Sequence, residues 1–270
     1  MFAVDRRVMA RLEPTVRRVL IVDPNAHAAR LIQDIMKTVG SREVVVEADQ
    51  KRGLIMAGAI DPGLVFTERS GPGLDGEELA RALRRSTLPC RRVPIIMVTA
   101  EATATTIKGA RDSGVHEFLR KPFASGDILK RVENVAVNPR DWIEAMNYIG
   151  PDRRRFNSGE FSGGAKRKSD RAATGPSAAL VAKDLAMRIL ATALDQFDHD
   201  PMQAVRAIRE QALQLKALGV IAADAWLITT VEALEAALAA GPPTKAAIAA
   251  PINDLLAMHR ASGHMLKRTG

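Results

Sequence analysis

Four side chains able to hold a charge or a proton stand at the ends of short apolar runs. Asp23 closes Arg18-Val19-Leu20-Ile21-Val22, Glu68 closes Gly63–Thr67, Thr99 closes Pro94–Val98, and Lys121 follows Val115–Leu119. A carboxylate at the C-terminal tip of a strand is where an open α/β sheet puts its chemistry. Asp23 and Glu68 offer the oxygen ligands that a hard cation takes, and Lys121 offers a counter-charge. Each residue also has a plainer use. Asp23 could cap the helix that follows, Lys121 could pair with Glu68 for stability, and Thr99 could fill a turn.

The elements that would position these tips are legible as an alternation. Apolar runs centred on Ile21, Val45, Val65, Ile96 and Phe118 read as strands, and the segments between them repeat apolar residues at helical spacing. Ala26 to Val39, for example, places Ala29, Ile32, Ile35, Met36 and Val39 on one face, and Gly40 stops it. Short loops between strand and helix imply parallel βαβ units and a doubly wound, five-stranded parallel sheet. The loop Ser70-Gly71-Pro72-Gly73-Leu74-Asp75-Gly76 leads from the Glu68 tip straight into the next helical pattern.

With its neighbours this order of tips resembles the receiver domain of bacterial two-component response regulators, over about residues 17 to 137. Lys121-Pro122-Phe123 is receiver-like, and Phe118 stands where that family has its aromatic switch residue. The resemblance implies a flavodoxin-like fold and a pocket of Asp23, Pro24, Thr99 and Lys121 around an acceptor at position 68. In the family that acceptor is an aspartate, phosphorylated with Mg²⁺ and read by the Thr and Lys. Two departures alter the expectation. Pro24 replaces a second acid, which leaves at most a weakened Mg²⁺ site at Asp23 and Glu68, so no cofactor is expected. Glu68 displaces the carboxylate by roughly one C–C bond (~1.5 Å), and a misplacement of that size costs about 10²-fold in a transfer step. Glu68 could instead set its charge near Lys121 and Thr99, as a standing imitation of the phosphorylated state.

Beyond the receiver-like segment, residues 138–175 read as an Arg/Gly/Ser-rich linker, and residues 1–16 as a basic N-terminal arm. Trp142, Ile143, Met146, Tyr148 and Ile149 suggest a short amphipathic extension that packs on a neighbouring domain. Arg153, Arg154 and Arg155 suit either a solvated charge run or anion recognition, since arginine forks bind phosphates and stack on purines. They loosely resemble the arginine-rich tails with which some receiver-like proteins bind cyclic di-GMP.

Residues 176–270 are rich in alanine and leucine and read as four helices near Ala178–Phe197, Pro201–Leu218, Ala222–Ala240 and Thr244–Lys267, an all-α bundle. Pro251 is expected to kink or divide the last one. Ala212-Leu213-Gln214-Leu215-Lys216-Ala217-Leu218-Gly219 resembles the helix of a histidine phosphotransfer domain, with Leu213 where that family carries its histidine. His199, His259 and His264 do not fall at that register and are expected on the surface.

Composition bounds the rest. The chain has 270 residues, a net charge of +8, 47% hydrophobic residues and one cysteine. That excludes an internal disulfide and a zinc ribbon, no apolar run is long enough to span a membrane, and a cytoplasmic location is expected. The positive excess is spread over Arg6–Arg18, Arg81–Arg92 and Arg153–Arg171, which argues against a dedicated DNA-binding module. The resulting expectation is a non-enzymatic signalling adaptor of a phosphorelay, phosphorylation-independent, acting through protein contacts. Histidine kinases, phosphotransfer proteins, other response regulators and a second copy are the expected partners. The alternatives are a phosphorylatable receiver, and binding of cyclic di-GMP or another nucleotide through the linker arginines.

Overall fold

Five-residue runs of aliphatic and β-branched side chains are too short for buried helices and form strands instead. The computed structural model describes residues 6–153 and 176–268. The chain divides into two units, Met1–Ile143 with Tyr148–Gly164, and Glu144–Asn147 with Ala165–Gly270.

The first unit begins with α1 (Arg6–Val16) and β1 (Arg18–Val22), followed by α2 (Ala26–Thr38), β2 (Glu43–Glu47), α3 (Gln50–Ile60) and β3 (Leu64–Glu68). A two-residue pair, β4 (Ser70–Gly71) and β5 (Leu74–Asp75), leads into α4 (Gly76–Arg85) and a 3-10 turn, Pro89–Arg92. Then come β6 (Ile95–Thr99), α5 (Ala104–Asp112), β7 (Glu117–Arg120) and α6 (Ser125–Val137), and a last pair, β8 (Trp142–Glu144) and β9 (Ile149–Pro151). The main sheet has the order β2-β1-β3-β6-β7 with every pairing parallel. This is the expected doubly wound sheet. Alternate strand residues feed opposite faces. Val19, Ile21, Phe66, Ile96, Val98 and Leu119 pack toward α2 and α6. Leu20, Val22, Val65, Ile95, Met97 and Phe118 pack toward α4 and α5.

One sequence expectation for this unit needs correction. Residues 6–16 are not a free arm. They form α1, which packs against α6, and its Leu12 and Val16, one turn apart, are buried in the core. The extension from Trp142 to Ile149 takes the form of the β8–β9 pair. Trp142 and Ile143 are good strand formers, and the turn back into β9 is held by the Tyr148 hydroxyl donating to the Pro151 carbonyl at 2.6 Å.

The second unit is a ring of four helices, α7 (Pro176–Asp195), α8 (Pro201–Ala222), α9 (Ala225–Ala239) and α10 (Lys245–Arg268), each packed on the next and the last on the first. Asp200 caps α8 by accepting from the Gln203 amide, and Pro201 occupies the first turn, where its missing N–H costs nothing. Pro251 lies inside α10, which stays a single helix. Leu190, Ile208, Leu215, Val231, Leu234, Ile248 and Leu255 fill the interior. Glu144, 1% exposed, accepts from Gln203 Nε2 at 3.1 Å and is thereby accommodated among them.

Candidate functional site

The four strand-tip residues meet at the carboxyl edge of the parallel sheet, where the strand order reverses between β1 and β3. The register explains why: Val22 pairs with Thr67, Glu68 with Val98, and Thr99 with Arg120, so the tips end level. Asp23 is 3% exposed, and its Oδ1 accepts from the Asn25 amide at 2.8 Å. Asn25 in turn caps α2. Glu68 Oε1 accepts from the Arg69 amide at 2.7 Å. Thr99 accepts from the Glu101 amide at 3.2 Å, and the Lys121 amide donates to the Thr99 carbonyl at 2.7 Å.

The centre of the site is Lys121. Its Nζ lies 2.5 Å from Glu68 Oε2 and 3.0 Å from Asp23 Oδ2. Burial works to lower the Lys121 pKa, but the bonds to Glu68 and Asp23 overcome it and hold the ammonium above its ordinary value. Both carboxylates thus spend one oxygen on a backbone amide and the other on the same ammonium. A cation held by both acids would compete with Lys121 for Asp23 Oδ2 and Glu68 Oε2, and Pro24 supplies no side-chain oxygen. The described residues contain no cluster of three or more potential metal ligands.

The loop after β3 closes one side of the pocket. A Cβ on Gly71 would fall 2.5 Å from Pro24 Cγ, so the proline ring lies directly against the β4–β5 turn. Gly76 is still tighter: a Cβ there would come 2.2 Å from the Glu68 carbonyl oxygen. Asp75 is the N-cap of α4, accepting from Glu77 and Glu78 at 2.9 and 3.0 Å. Phe118 is 2% exposed and points into the core face shared with Met97 and Ala110.

Sequence reasoning missed Asn25 and Arg69. Arg69 reaches Glu77 at 3.9 Å and Glu101 at 3.5 Å, tying the β3 tip to the segment after β6. The only sequence signal was a cation immediately after the tip carboxylate. Elsewhere, Leu213 is 62% exposed on α8, and the neighbouring Lys216 pairs with Glu235 at 2.7 Å. His199 is exposed and His259 contacts Asp184, whereas the side chain of His264 lies outside the described residues. Arg153 pairs with Asp112 at 2.9 Å and stacks on Tyr148, 4.2 Å from the ring centre. Arg154 and Arg155 lie outside the described residues.

Comparison with known proteins concerns the segment that holds these tips. The family model for the response regulator receiver domain matches residues 19–133. That segment is a response regulator receiver domain of the kind found in two-component systems. The chemotaxis protein CheY of Pseudomonas aeruginosa is 28% identical over 118 residues, which are 44% of this chain and 94% of CheY. The DNA-binding response regulator MtrA of Mycobacterium tuberculosis is 28% identical over 116 residues, and the chain spans about half of it, 49%. Among solved structures, chemotaxis protein CheY4 of Vibrio cholerae aligns with a TM-score of 0.41 and 24% identity, covering 44% of this chain and 97% of CheY4. No helix among the described residues is long and apolar enough to cross a membrane.

Proposed function

We propose that the protein is a signalling adaptor whose receiver domain works without phosphorylation, through protein contacts within a two-component phosphorelay. One observation carries this reading: Lys121 bridges Glu68 and Asp23 at 2.5 and 3.0 Å. In this reading the Glu68 carboxylate already supplies the negative charge that a phosphoryl group would bring to Lys121. Buried Phe118 is the aromatic switch residue, held inward. Arg69, linked to Glu77 and Glu101, holds the segment after β6 in place. The output face comprises α5, β7 and α6, and it meets a histidine kinase, a phosphotransfer protein, another response regulator or a second copy.

The helical unit is read as a phosphotransfer-like bundle without its nucleophile. Leu213 stands exposed where a histidine would act, and the bundle docks partners or dimerises rather than carrying phosphate. The protein has no turnover of its own in this reading and acts in the cytoplasm. In the alternative reading, the linker arginines, including Arg153, contact a nucleotide.

Incubation with acetyl phosphate and Mg²⁺, followed by intact-mass measurement, tests the reading. The wild type is expected to gain no phosphoryl adduct. An adduct on the wild type overturns it and makes the domain a working phosphoacceptor. An adduct on Glu68→Asp alone locates the block in the length of the Glu68 side chain.

A further inference from the structure

A surface helix turns an apolar stripe inward and a charged face to solvent, and a helix that is apolar all round is normally buried on every side. The second half of α8 departs from this. Its inner face, with Gln211, Ala212, Leu215 and Gly219, is buried in the ring of four helices. Its outer face is apolar as well: Leu213 is 62% exposed, Val220 64% and Ile221 81%. Leu213, Ala217 and Val220 recur at helical spacing on one stripe, with Ile221 beside it. From Leu213 to Ala223 the only charged side chain is Lys216. At the same end of the hairpin, in the first turn of α9, Trp226 is 37% exposed.

The charges that border this stripe are matched inside the unit. Lys216 Nζ lies 2.7 Å from Glu235 and 3.5 Å from Glu232. Asp224 caps α9 by accepting from the Leu227 amide at 3.0 Å, and it pairs with Lys183 at 3.3 Å. Arg209, at the other end of the stripe, donates to the Leu238 carbonyl at 3.4 Å. The stripe thus offers no charge pattern of the kind that steers and selects a charged partner. It does suit a second copy. The chain carries a net charge of +8, so two copies repel where their basic surfaces meet, and an uncharged face is where they can approach. A twofold contact uses the same patch from each copy, so the patch must complement itself. Here it does, because Leu213 and Ile221 flank Ala217 symmetrically, one helical turn to either side. Two α8 helices crossing antiparallel at Ala217 set Leu213 of each copy against Ile221 of the other, and the small alanine at the crossing lets the helices come close.

We infer that α8 pairs with α8 of a second copy, through Leu213, Ala217, Val220 and Ile221, to form a twofold dimer. The inference rests on the reading of the helical unit as one that docks or dimerises, and it names the occupant and the face. It draws nothing from the Lys121 pocket, so the acetyl phosphate result bears on the receiver alone. In this dimer the position of Leu213, where a phosphotransfer helix would present its histidine, becomes the seam.

Sedimentation equilibrium of the full chain tests it, from about 1 to 200 μM, where a micromolar contact passes from monomer to dimer. The wild type is expected to reach the mass of a dimer. Leu213→Lys and Ile221→Glu each put a charge into the seam and are expected to weaken association at least about tenfold. Both side chains are exposed, so the melting temperature measured at the dilute end is expected to stay in place. Mixing the two variants is expected to restore the dimer, since the new lysine then faces the new glutamate. Ile55→Glu, at a side chain of α3 that is 61% exposed, is expected to change nothing. A wild type that stays monomeric overturns the self-pairing and not the docking of another protein, which does not need it. A dimer that survives both single substitutions, or that Ile55→Glu removes, overturns the assigned face. A dimer that both substitutions remove and mixing does not restore overturns the crossing at Ala217.

Discussion

The two edges of the receiver sheet handle buried charge in opposite ways. At the carboxyl edge, opposite charges meet: Lys121 sits between Asp23 and Glu68, and every oxygen of the two acids has a donor. At the amino edge, like charges gather around Trp142, and buried Arg84 is satisfied by backbone carbonyls instead of by a counter-ion. Burial pushes the Arg84 pKa down to about 9, which still leaves it charged at neutral pH. The first edge is held by ion pairs, and at the second the buried guanidinium of Arg84 is held by backbone carbonyls.

Substitutions separate the two edges by size of effect. The largest is expected for Arg84→Met, which strands four acceptors inside the protein and costs about 4 kcal/mol, read as a loss of denaturation midpoint in the full chain. A cost below 1 kcal/mol would mean that water replaces the guanidinium and that the amino edge is not a structural hub. Next comes Lys121→Met, at about 3 kcal/mol, because breaking one partner of a buried ion cluster leaves the Asp23 and Glu68 charges facing each other. If this variant were instead more stable, the carboxyl edge would not be held by its ion pairs.

Gly76→Ala is expected to cost about 2 kcal/mol, since its Cβ would press on the Glu68 carbonyl and displace the tip itself. Glu68→Gln should be milder, about 1 kcal/mol, because its single amide oxygen keeps one of the two donors, Lys121 or the Arg69 amide, and loses the other. The smallest signal is in pH. The Lys121 pKa is raised in the folded state, so its contribution is complete below the ordinary lysine value, 10.5, and is lost as pH rises through the folded value. Denaturation measured across that alkaline window should show a steeper loss for the wild type than for Glu68→Gln.

Much of the carboxyl edge was legible in the sequence because strand tips announce themselves: an apolar run ends, and the next residue is Asp23, Glu68 or Thr99. Periodicity ordered the elements from β1 to α6 and from α7 to α10, while α1 was read as an arm. Two things stayed hidden. One was which charge meets which, since Lys121 is 98 positions from Asp23 and 53 from Glu68 and only the parallel register brings them together. The other was the amino edge. Arg84 reads as one more cation in the basic stretch Arg81–Arg92, yet it lies on the buried side of α4 beside Leu83. The short pair from Trp142 to Pro151 escaped because each of its strands is only three residues long.

Lys121 engages the Asp23 and Glu68 oxygens that a divalent cation held by both acids would need. Two amides report on it directly, those of Asn25 and Arg69, because each donates to one of the two carboxylates. Their nitrogen–proton resonances, followed while Mg²⁺ is added to the wild type and to Lys121→Met, are the most direct measurement. The account predicts no saturable shift of either amide in the wild type up to tens of millimolar Mg²⁺, and a shift of both in Lys121→Met. Saturable movement of both amides in the wild type at low millimolar Mg²⁺ would contradict it and return the domain to phosphoryl chemistry.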